Sequence, residues 1–372
     1  MKRLSSRLFS TMSASLAPTS SPFTRAVVSS MRKLYPESLA DKSFDNTGLL
    51  LEAPFNPTRR QNNSVLLTID LTKAVADEAI KRRDSVVVAY HPIIFRGLKS
   101  LTFNDPQQQS LLRLAAEGIS VYSPHTAMDA APGGMGDWLC DVVTGSIEPA
   151  TESSQSATIS SSKSESKSGS QLYSAPLYPH PGPVTPRGPI EHTRATIHPS
   201  PPPVPEGFEE AGMGRLVTYN EPQDLSIIID EIAEIIGFPG GIPIAVPQGS
   251  SIGEIKIRTV GVCPGSGSSV LMKGVKEIPD LLLTGEMSHH ETLFAIESGK
   301  CVIALSHSNT ERGYLKAVMQ GKLEGALKKE WERLRSEGKS AEGEAKEVYE
   351  DGDVQVHVSE ADRDPFGIMV RK

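Results

Sequence analysis

The chain has few cysteines, no long apolar run and no excess of basic residues. The three cysteines, Cys140, Cys263 and Cys301, are far apart and form no Cys-x-x-Cys pair. This spacing excludes a disulfide framework and a thiolate zinc site and is typical of a reducing compartment. No apolar run approaches the roughly 18–20 residues that a membrane-spanning helix requires, so we expect no membrane partner. The net charge of -7 at pH 7 argues against broad nucleic-acid binding.

Acidic residues are also absent from residues 1–35, which are rich in Ser and carry several Lys and Arg. This composition is typical of a mitochondrial transit peptide, and a disordered tail is the alternative. A second start at Met12 would remove part of the signal and give a cytosolic form. We therefore expect a transit or disordered segment over residues 1–22 and a mitochondrial and/or cytoplasmic location. The apolar face that includes Val27 and Met31 predicts a helix that opens the first domain at residue 23.

Apolar strands alternate with amphipathic helices through the first half of the chain. The predicted strands are 64–70, 84–89 and 119–123, and the predicted helices are 72–82, 105–117 and one that starts at 136. Such alternation indicates crossover connections and a parallel or mixed sheet. We expect this first α/β lobe to span residues 23–150.

The pattern breaks off between residues 151 and 206. Residues 152–170 are almost entirely Ser, Lys, Glu, Gln and Thr, and residues 179–205 are rich in proline. Neither stretch offers enough apolar surface to offset the entropy lost on ordering the chain. We therefore predict a disordered Ser/Pro-rich linker that interrupts the fold.

A second α/β lobe is expected over residues 207–372. Its predicted strands are 212–218, 257–263, 280–284, 301–305 and 354–358, and its predicted helices are 225–236, 288–297 and 313–336. Both halves run from strand to helix to strand toward a turn with polar residues. This shared order is compatible with a structural duplication, although the two sequences do not visibly repeat.

Three of the apolar strands end in side chains that are common metal ligands. His91 follows one strand, His125 and Asp129 follow the next, and His307 and Glu311 follow a strand of the second half. Open α/β sheets bind ligands at the carboxyl ends of their strands. The sequence therefore predicts one metal site that draws on both halves of the chain.

Each of these residues also has an ordinary structural interpretation. His91 is compatible with a hydrogen-bonded core position, Asp129 with the cap of a turn, and a His-x-x-x-Glu pair arises often by chance. Together, however, His91, Asp129, His307 and Glu311 supply two imidazoles and two carboxylates. This set suits Zn, Mn or Fe rather than Ca. One or two ions per chain are expected, because Asp129 and Glu311 could bridge a pair of metals.

Five segments together resemble one known family. They are SFDNTGL (43–49), AYHPIIF (89–95), SPHTAMDAAPGG (123–134), TGEMSHH (284–290) and HSNTERG (307–313). In this order they look like the Ngg-interacting factor 3 family, whose members are also called GTP cyclohydrolase 1 type 2 homologues. The resemblance covers roughly residues 25–145 and 207–372 and is greatest to the eukaryotic, fungal branch.

The resemblance implies two similar α/β lobes, a dinuclear metal site in the cleft and a ring-shaped homo-oligomer, often a hexamer. It carries the ligand role to His91, Asp129, His307 and Glu311. Bacterial members usually have two adjacent histidines where this chain has Tyr90 and His91. We therefore expect Tyr90 to hydrogen-bond a metal-bound water rather than bind the metal, since phenol is a poor ligand near neutral pH.

Further residues are candidates for proton transfer or for contact with the ligands. Glu286 is a candidate general base, and His125 either transfers protons or orients Asp129. His289 and His290 begin a helix after a strand, so one of them is expected to point into the cleft. The alternative for each is a structural role.

The loop Gly265-Ser266-Gly267-Ser268 is a candidate phosphate site. Small residues leave backbone N–H groups exposed at a helix start, where a phosphate can bind. The loop matches neither a Walker motif nor a dinucleotide fingerprint. The alternative is a tight turn between strand and helix.

Two functions remain open at this level. The first is a metal-dependent hydrolase acting on a nucleotide or another phosphorylated small molecule, similar to GTP cyclohydrolase type 2 by resemblance. The second is a non-catalytic, metal-stabilised oligomeric scaffold that binds protein partners, as the name of the family suggests. A metal carrier is a weaker third possibility.

Overall fold

The computed structural model describes residues 20–56, 59–147, 189–237, 241–338 and 348–367. The strands are β1 (Gly48–Leu51), β2 (Asn62–Thr68), β3 (Asp84–Ala89), β4 (Ser120–Ser123), β5 (His192–Pro199), β6 (Gly212–Asp224), β7 (Ile244–Ala245), β8 (Lys256–Ser266), β9 (Leu281–Glu286), β10 (Cys301–Ala304) and β11 (Gln355–Val358). The helices are α1 (Pro22–Leu34), α2 (Lys73–Arg82), α3 (Pro106–Glu117), α4 (Thr126–Ala130), α5 (Met135–Val143), α6 (Leu225–Ile236), α7 (Ser268–Met272), α8 (His289–Glu297), α9 (Asn309–Tyr314) and α10 (Gln320–Glu337). Among the helices in these ranges, none is long and apolar enough to cross a membrane.

The first sheet has five strands in the order β1-β4-β3-β2-β11. Strands β4, β3, β2 and β11 are parallel, and β1 runs antiparallel to β4 at the edge. The central strand β3 is buried along its whole length, as expected for a parallel strand covered on both faces. The carboxyl ends of β2, β3 and β4 therefore lie side by side at one edge of the sheet.

The second sheet has six strands in the order β5-β6-β8-β9-β10-β7. Strands β8, β9 and β10 are parallel, whereas β5, β6 and β7 pair antiparallel. The prediction of an α/β fold with mixed sheets is confirmed.

Local capping signals account for several helix boundaries. Helix α2 begins after Thr72, whose side chain accepts a hydrogen bond from the N–H of Val75, as the sequence predicts. Helix α1 begins at Pro22, because Ser21 accepts a hydrogen bond from the N–H of Thr24 at 2.9 Å. The expected transit or disordered segment over 1–22 therefore extends too far, since its last residues belong to this helix. Residues 1–19 lie outside the described part of the chain.

The prediction of a disordered linker over residues 151–206 is wrong for its final part. Strand β5 (His192–Pro199) pairs antiparallel with β6 along most of its length. The Thr and Ile residues of β5 have high β propensity. Because prolines surround the segment, the sequence nevertheless predicts a linker there. Residues 148–188, which hold the Ser-rich stretch and part of the proline-rich one, lie outside the described residues.

Part of residues 207–372 belongs to the first sheet and not to the second lobe. Strand β11 leaves it and pairs in parallel with β2 of the first sheet. Helix α10 packs on α1, where the rings of Trp331 and Phe23 meet edge to face at 5.5 Å. The C-terminal elements α10 and β11 therefore pack against the first half of the chain. One apolar cluster is continuous through both halves.

Candidate metal centre

The ends of parallel strands from both sheets meet in one cleft. His91 follows β3 of the first sheet, and His307 follows β10 of the second. Glu311 lies in the first turn of α9, directly after His307. One ligand atom from each of these three residues lies within 4.8 Å of the others. Three of the four predicted metal ligands are therefore brought together by the fold.

Glu311 lies between the two imidazoles. Its Oε2 is 3.5 Å from His91 Nε2, and its Oε1 is 3.7 Å from His307 Nε2. Glu311 is almost fully buried, whereas the two histidines are partly exposed to the cleft. A single cation between these atoms would touch all three side chains.

Carboxylates behind the histidines fix the orientation of both rings. Asp70 Oδ1 lies 2.9 Å from His91 Nδ1, and Glu286 Oε2 lies 3.0 Å from His307 Nδ1. Burial raises the pKa of Asp70, but the hydrogen bond to His91 and the charges of His91 and Arg312 outweigh burial and lower it. Asp70 is therefore an acceptor, and His91 donates through Nδ1–H. Each Nε2 then faces Glu311, as in many carboxylate–histidine–metal arrangements.

Three buried atoms of this group make no hydrogen bond in the described structure. They are His91 Nε2 and both carboxylate oxygens of Glu311. Buried polar atoms without partners are costly unless something else satisfies them. Two imidazole nitrogens and one carboxylate are donors that Zn, Mn and Fe accept. The residues present therefore fit a divalent transition metal ion.

The neighbouring carboxylates change the pKa of His91. Burial by itself lowers the pKa of His91, but the hydrogen bond to Asp70 and the negative charges of Glu311 and Asp70 outweigh burial and raise it to about 10. The protonated ring compensates the buried Glu311 carboxylate. A cation at the same position would provide that compensation instead and leave Nε2 free to bind it.

Asp129 is close to the group but is not part of it. Its two carboxylate oxygens lie 2.8 and 3.0 Å from the Tyr90 hydroxyl, which donates to them. Burial, as the main cause, raises the pKa of Asp129 to about 7. Tyr90 therefore hydrogen-bonds to Asp129, and its predicted contact with a metal-bound water stays a prediction. The ligand role of Asp129 stays a prediction.

His91, His307 and Glu311 form the metal-binding triad. His125 lies beside this triad and has a strained backbone conformation with φ of 35°. Its Nδ1 is 2.6 Å from Asp45 Oδ1, and Asp45 also accepts hydrogen bonds from the N–H and the hydroxyl of Thr126. Burial raises the pKa of Asp45, but these bonds outweigh burial and lower it. Asp45 therefore holds a strained turn and the His125 ring together, which explains a backbone that would otherwise be unfavourable.

The predicted phosphate loop is largely occupied by contacts within the protein. The N–H of Gly265 donates to Thr310 at 3.0 Å, and the N–H of Gly267 donates to Thr284 at 2.9 Å. The hydroxyl of Ser268 donates to Glu291 at 2.9 Å. Ser266 is exposed and lines the cleft, so its side chain is the part of the loop that a ligand can reach.

Gly265 instead closes the cleft over the triad. A Cβ at this position would lie 2.9 Å from Glu311 Oε1 and 3.0 Å from His307 Nε2, and the residue has a positive φ of 58°. Only glycine allows the backbone to approach the ligands this closely. The loop therefore shapes the metal centre rather than presenting its N–H groups.

Two expectations about the histidines of α8 and about Glu286 are corrected. His289 and His290 are exposed and contact each other, and neither lines the cleft. Helix α8 begins with a capping box at Ser288, and both histidines lie in its exposed first turn. Glu286 contacts His307, so it orients that ring rather than standing free as a general base.

Comparison with known proteins agrees with this arrangement. The family model Duf34/NIF3 (NGG1p interacting factor 3) matches residues 24–337. The chain belongs to this family. It is 40% identical to the protein NIF3 homolog of Schizosaccharomyces pombe, with 81% of this chain and 88% of the relative covered. It is 37% identical to NGG1-interacting factor 3 of Saccharomyces cerevisiae, with 80% and 89% covered.

Solved structures show the same fold at low sequence identity. Staphylococcus aureus protein SA1388 has a TM-score of 0.60 and 18% identity, with 92% of this chain and 98% of that chain covered. Reduced HcgD from Methanocaldococcus jannaschii has a TM-score of 0.55 and 16% identity, with 90% and 96% covered. The predicted resemblance to the NIF3 family and the predicted fold class are both confirmed.

Sequence reasoning missed Asp70 and the aromatic wall of the NIF3-family cleft. Asp70 follows an apolar strand just as His91 does, so the same strand-end argument would have found it. Phe44 and Phe95 also line the cleft. They belong to the family motifs SFDNTGL and AYHPIIF. Their exposed side chains gave no periodic signal. The cleft that they share with the triad has a volume of about 540 Å³.

Proposed function

We propose that this NIF3-family protein is a metal-dependent hydrolase acting on a small molecule in the cleft. The observation that carries the proposal is the convergence of His91, His307 and Glu311 with unsatisfied buried atoms. His91, His307 and Glu311 would hold a divalent ion, which would lower the pKa of water and so supply a hydrolytic nucleophile near neutral pH. Asp129 is a further donor at the edge of the same cleft.

The residues around the triad divide the remaining tasks. Asp70 and Glu286 hold the ring orientations of His91 and His307, so the ligand atoms stay aimed at one point. Removing either carboxylate would let a histidine ring change its orientation, although both histidines would remain as metal ligands. Gly265 allows a close wall that limits the access of water.

His125 is the best candidate for proton transfer. Because Asp45 accepts from Nδ1–H, the Nε2 atom of His125 carries the lone pair and can take or return a proton. The ring lines the cleft and lies 5.7 Å from the His91 ring, centroid to centroid. This position suits a group that acts beside the metal and does not bind it.

The nature of the substrate depends on the cleft more than on the family label. A nucleotide or another phosphorylated compound is the class that the sequence predicts, and GTP cyclohydrolase chemistry is what the resemblance implies. The backbone donors of the Gly265 loop are already used, so support for phosphate binding is reduced to Ser266. Fold and family label alone select no substrate.

Metal analysis combined with a substrate panel tests the proposal. The purified full chain is expected to hold one or two ions of Zn, Mn or Fe and to hydrolyse at least one compound of a panel of nucleotides, nucleosides and phosphoesters. Glu311→Gln is expected to abolish turnover with the fold intact, and Glu297→Gln on the exposed end of α8 serves as the matched control. Metal-free protein, or equal turnover by Glu311→Gln, would contradict the proposal.

A scaffold for protein partners is the second candidate. The yeast relative bears the name NGG1-interacting factor 3, and Leu98, Leu101 and Phe103 expose apolar surface in one loop near the cleft. Large exposed apolar residues are frequent at interaction sites. This function predicts bound metal without turnover and a homo-oligomer, ring-shaped by family resemblance, that chelation loosens.

A further inference from the structure

A chain of aromatic rings leads from the triad to the mouth of the cleft. The rings of His91 and His125 are 5.7 Å apart, and the ring of His125 meets that of Phe95 edge to face at 6.3 Å. Phe44 follows, at 6.3 Å from Phe95. The side chains of Phe44 and Phe95 are 52% and 45% exposed, which is unusual for phenylalanine in a folded protein.

The described residues that line this cleft include no Lys or Arg. Of the charged residues there, Asp41, Asp129 and Glu311 are acids, and the remaining ionisable groups are mainly histidines. A divalent ion at the triad would be largely balanced by these carboxylates. The phosphates of a nucleoside triphosphate would then lose water without gaining a Lys or Arg partner beside that ion, which is costly.

The apolar side of the cleft complements this electrostatic argument. Met213, Val270 and Pro264 face the same space as the two phenylalanines. Aromatic rings favour offset or edge-to-face contact with another ring at these separations. The cleft therefore combines the polar groups of the triad with an exposed aromatic surface at Phe44 and Phe95.

We propose that the cleft binds an uncharged, planar aromatic ring against Phe44 and Phe95, with a polar edge of the ligand directed at His91, His307 and Glu311. This inference rests on the proposed function at the same centre and narrows its substrate to a class without phosphates. A volume of about 540 Å³ accommodates a ring system together with a small polar substituent.

Binding of a graded series of probes to the metal-loaded full chain tests the inference. Isothermal titration with adenosine, AMP, ATP and ribose 5-phosphate separates the contribution of the ring from that of the charge. Adenosine is expected to bind most tightly, ATP at least about tenfold more weakly because of its unpaired charge, and ribose 5-phosphate not measurably. Tighter binding of ATP than of adenosine, or no binding of adenosine, would overturn the inference.

Two substitutions locate the site. Phe95→Leu keeps an apolar side chain but removes the ring, and it is expected to weaken adenosine binding about fivefold to tenfold. Phe103→Leu is the matched control, because Phe103 is 67% exposed and does not line the cleft. Equal effects of the two variants, or none in either, would contradict the aromatic wall.

A third variant tests the charge argument by adding the missing cation. Ser266→Lys places an ammonium group on the exposed wall of the cleft and is expected to raise the affinity for AMP relative to adenosine. An unchanged ratio would show that the missing cation does not set the preference. Thermal unfolding of each variant confirms that the fold is retained.

The outcome can be separated from that of the hydrolase proposal. Binding is measured without turnover, so adenosine binding together with an inactive panel would remove the hydrolase function and leave the ligand class standing. Hydrolysis of a triphosphate without adenosine binding would do the reverse.

Discussion

Asp362 accepts a hydrogen bond from the backbone N–H of Ile69 at 2.8 Å. Its other neighbour is Arg312, with which it forms an ion pair, and Arg312 Nη2 in turn lies 3.7 Å from Asp70. Asp70 orients His91, and Ser308, beside His307, donates to Asp364 at 2.9 Å. The last described segment of the chain therefore supports both histidines of the triad from behind.

Removing the Asp362 carboxylate is expected to weaken metal binding from a distance. Asp362→Ala leaves the Ile69 N–H without its acceptor and Arg312 without its closest carboxylate. Because these two interactions are lost, the free energy of unfolding is expected to fall by about 2 kcal/mol. Metal retention is expected to fall as well, because Arg312 and Asp70 become free to shift. Denaturant unfolding and competition with a chelator measure the two effects.

Asp351→Ala is the control for this variant. Asp351 pairs with Arg60 at 2.6 Å, and both side chains are partly exposed. It is expected to cost less than about 1 kcal/mol and to leave metal retention unchanged. If both variants retained metal equally well, the support of the triad by the C-terminal segment would be refuted.

Asp70→Asn is expected to lower the affinity for metal by about 10–100-fold, because the His91 ring loses its charged acceptor. Asp77→Asn, on the exposed face of α2 beside Lys73, is the control. Competition with a fluorescent chelator gives both affinities. An unchanged affinity in Asp70→Asn would mean that His91 needs no support from this carboxylate.

We expect Tyr90 to limit the centre to one ion per chain. Its hydroxyl donates to the Asp129 carboxylate, so position 90 supplies no imidazole to a second ion. Tyr90→His is expected to raise the metal content from one to two ions per chain, because an imidazole beside Asp129 completes a second donor set. Tyr90→Phe, the control, is expected to keep one ion. Elemental analysis of both proteins decides, and two ions in the unaltered chain would contradict this account.

Glu330 gives the fold a dependence on acid pH. Its side chain is 4% exposed and pairs with Arg333 at 2.8 Å and with Lys33 of α1 at 2.6 Å. The hydrogen bonds from Arg333 and Lys33 outweigh burial and lower the pKa of Glu330 from 4.5 to about 2. A lowered pKa in the folded state stabilises the fold above the unfolded value of 4.5, and this contribution is lost as the pH falls from 4.5 toward 2.

Glu330→Gln is therefore expected to lose about 1 kcal/mol of stability at pH 7 and progressively less below pH 4.5. Urea unfolding at several pH values measures the difference between the two proteins. Glu337→Gln, whose partner Arg333 is half-exposed, serves as the control with a smaller effect. A difference that stays constant down to pH 3 would exclude Glu330 as its source.

Much of the fold was accessible from periodicity alone. Strands β3 and β10 are short apolar runs that end at His91 and His307, and the strand-end rule placed these two residues in one site. Within one sheet the rule works because parallel strands present their carboxyl ends at one edge. Strands β3 and β10 belong to different sheets, so the meeting of the two edges in one cleft is a property of the tertiary fold.

The remainder depended on pairing across the chain, which no local pattern reveals. The partner of β11 is β2, almost 300 positions earlier by their register of Val356 opposite Val65. Asp129 turns toward Tyr90 because both are buried side by side, and the Gly265 loop lost its donors to Thr310 and Thr284. Each of these outcomes was decided by a tertiary contact that competes with the local signal.

The route of β11 has a consequence for synthesis on the ribosome. Because Val356 closes the outer edge of β2, that edge stays open during synthesis until residues 355–358 have been translated. An unpaired strand edge recruits other chains, and growing chains of this length pass through exposed intermediates. A chain cut short before this strand is therefore expected to keep the edge of β2 open and to aggregate more readily than the full chain.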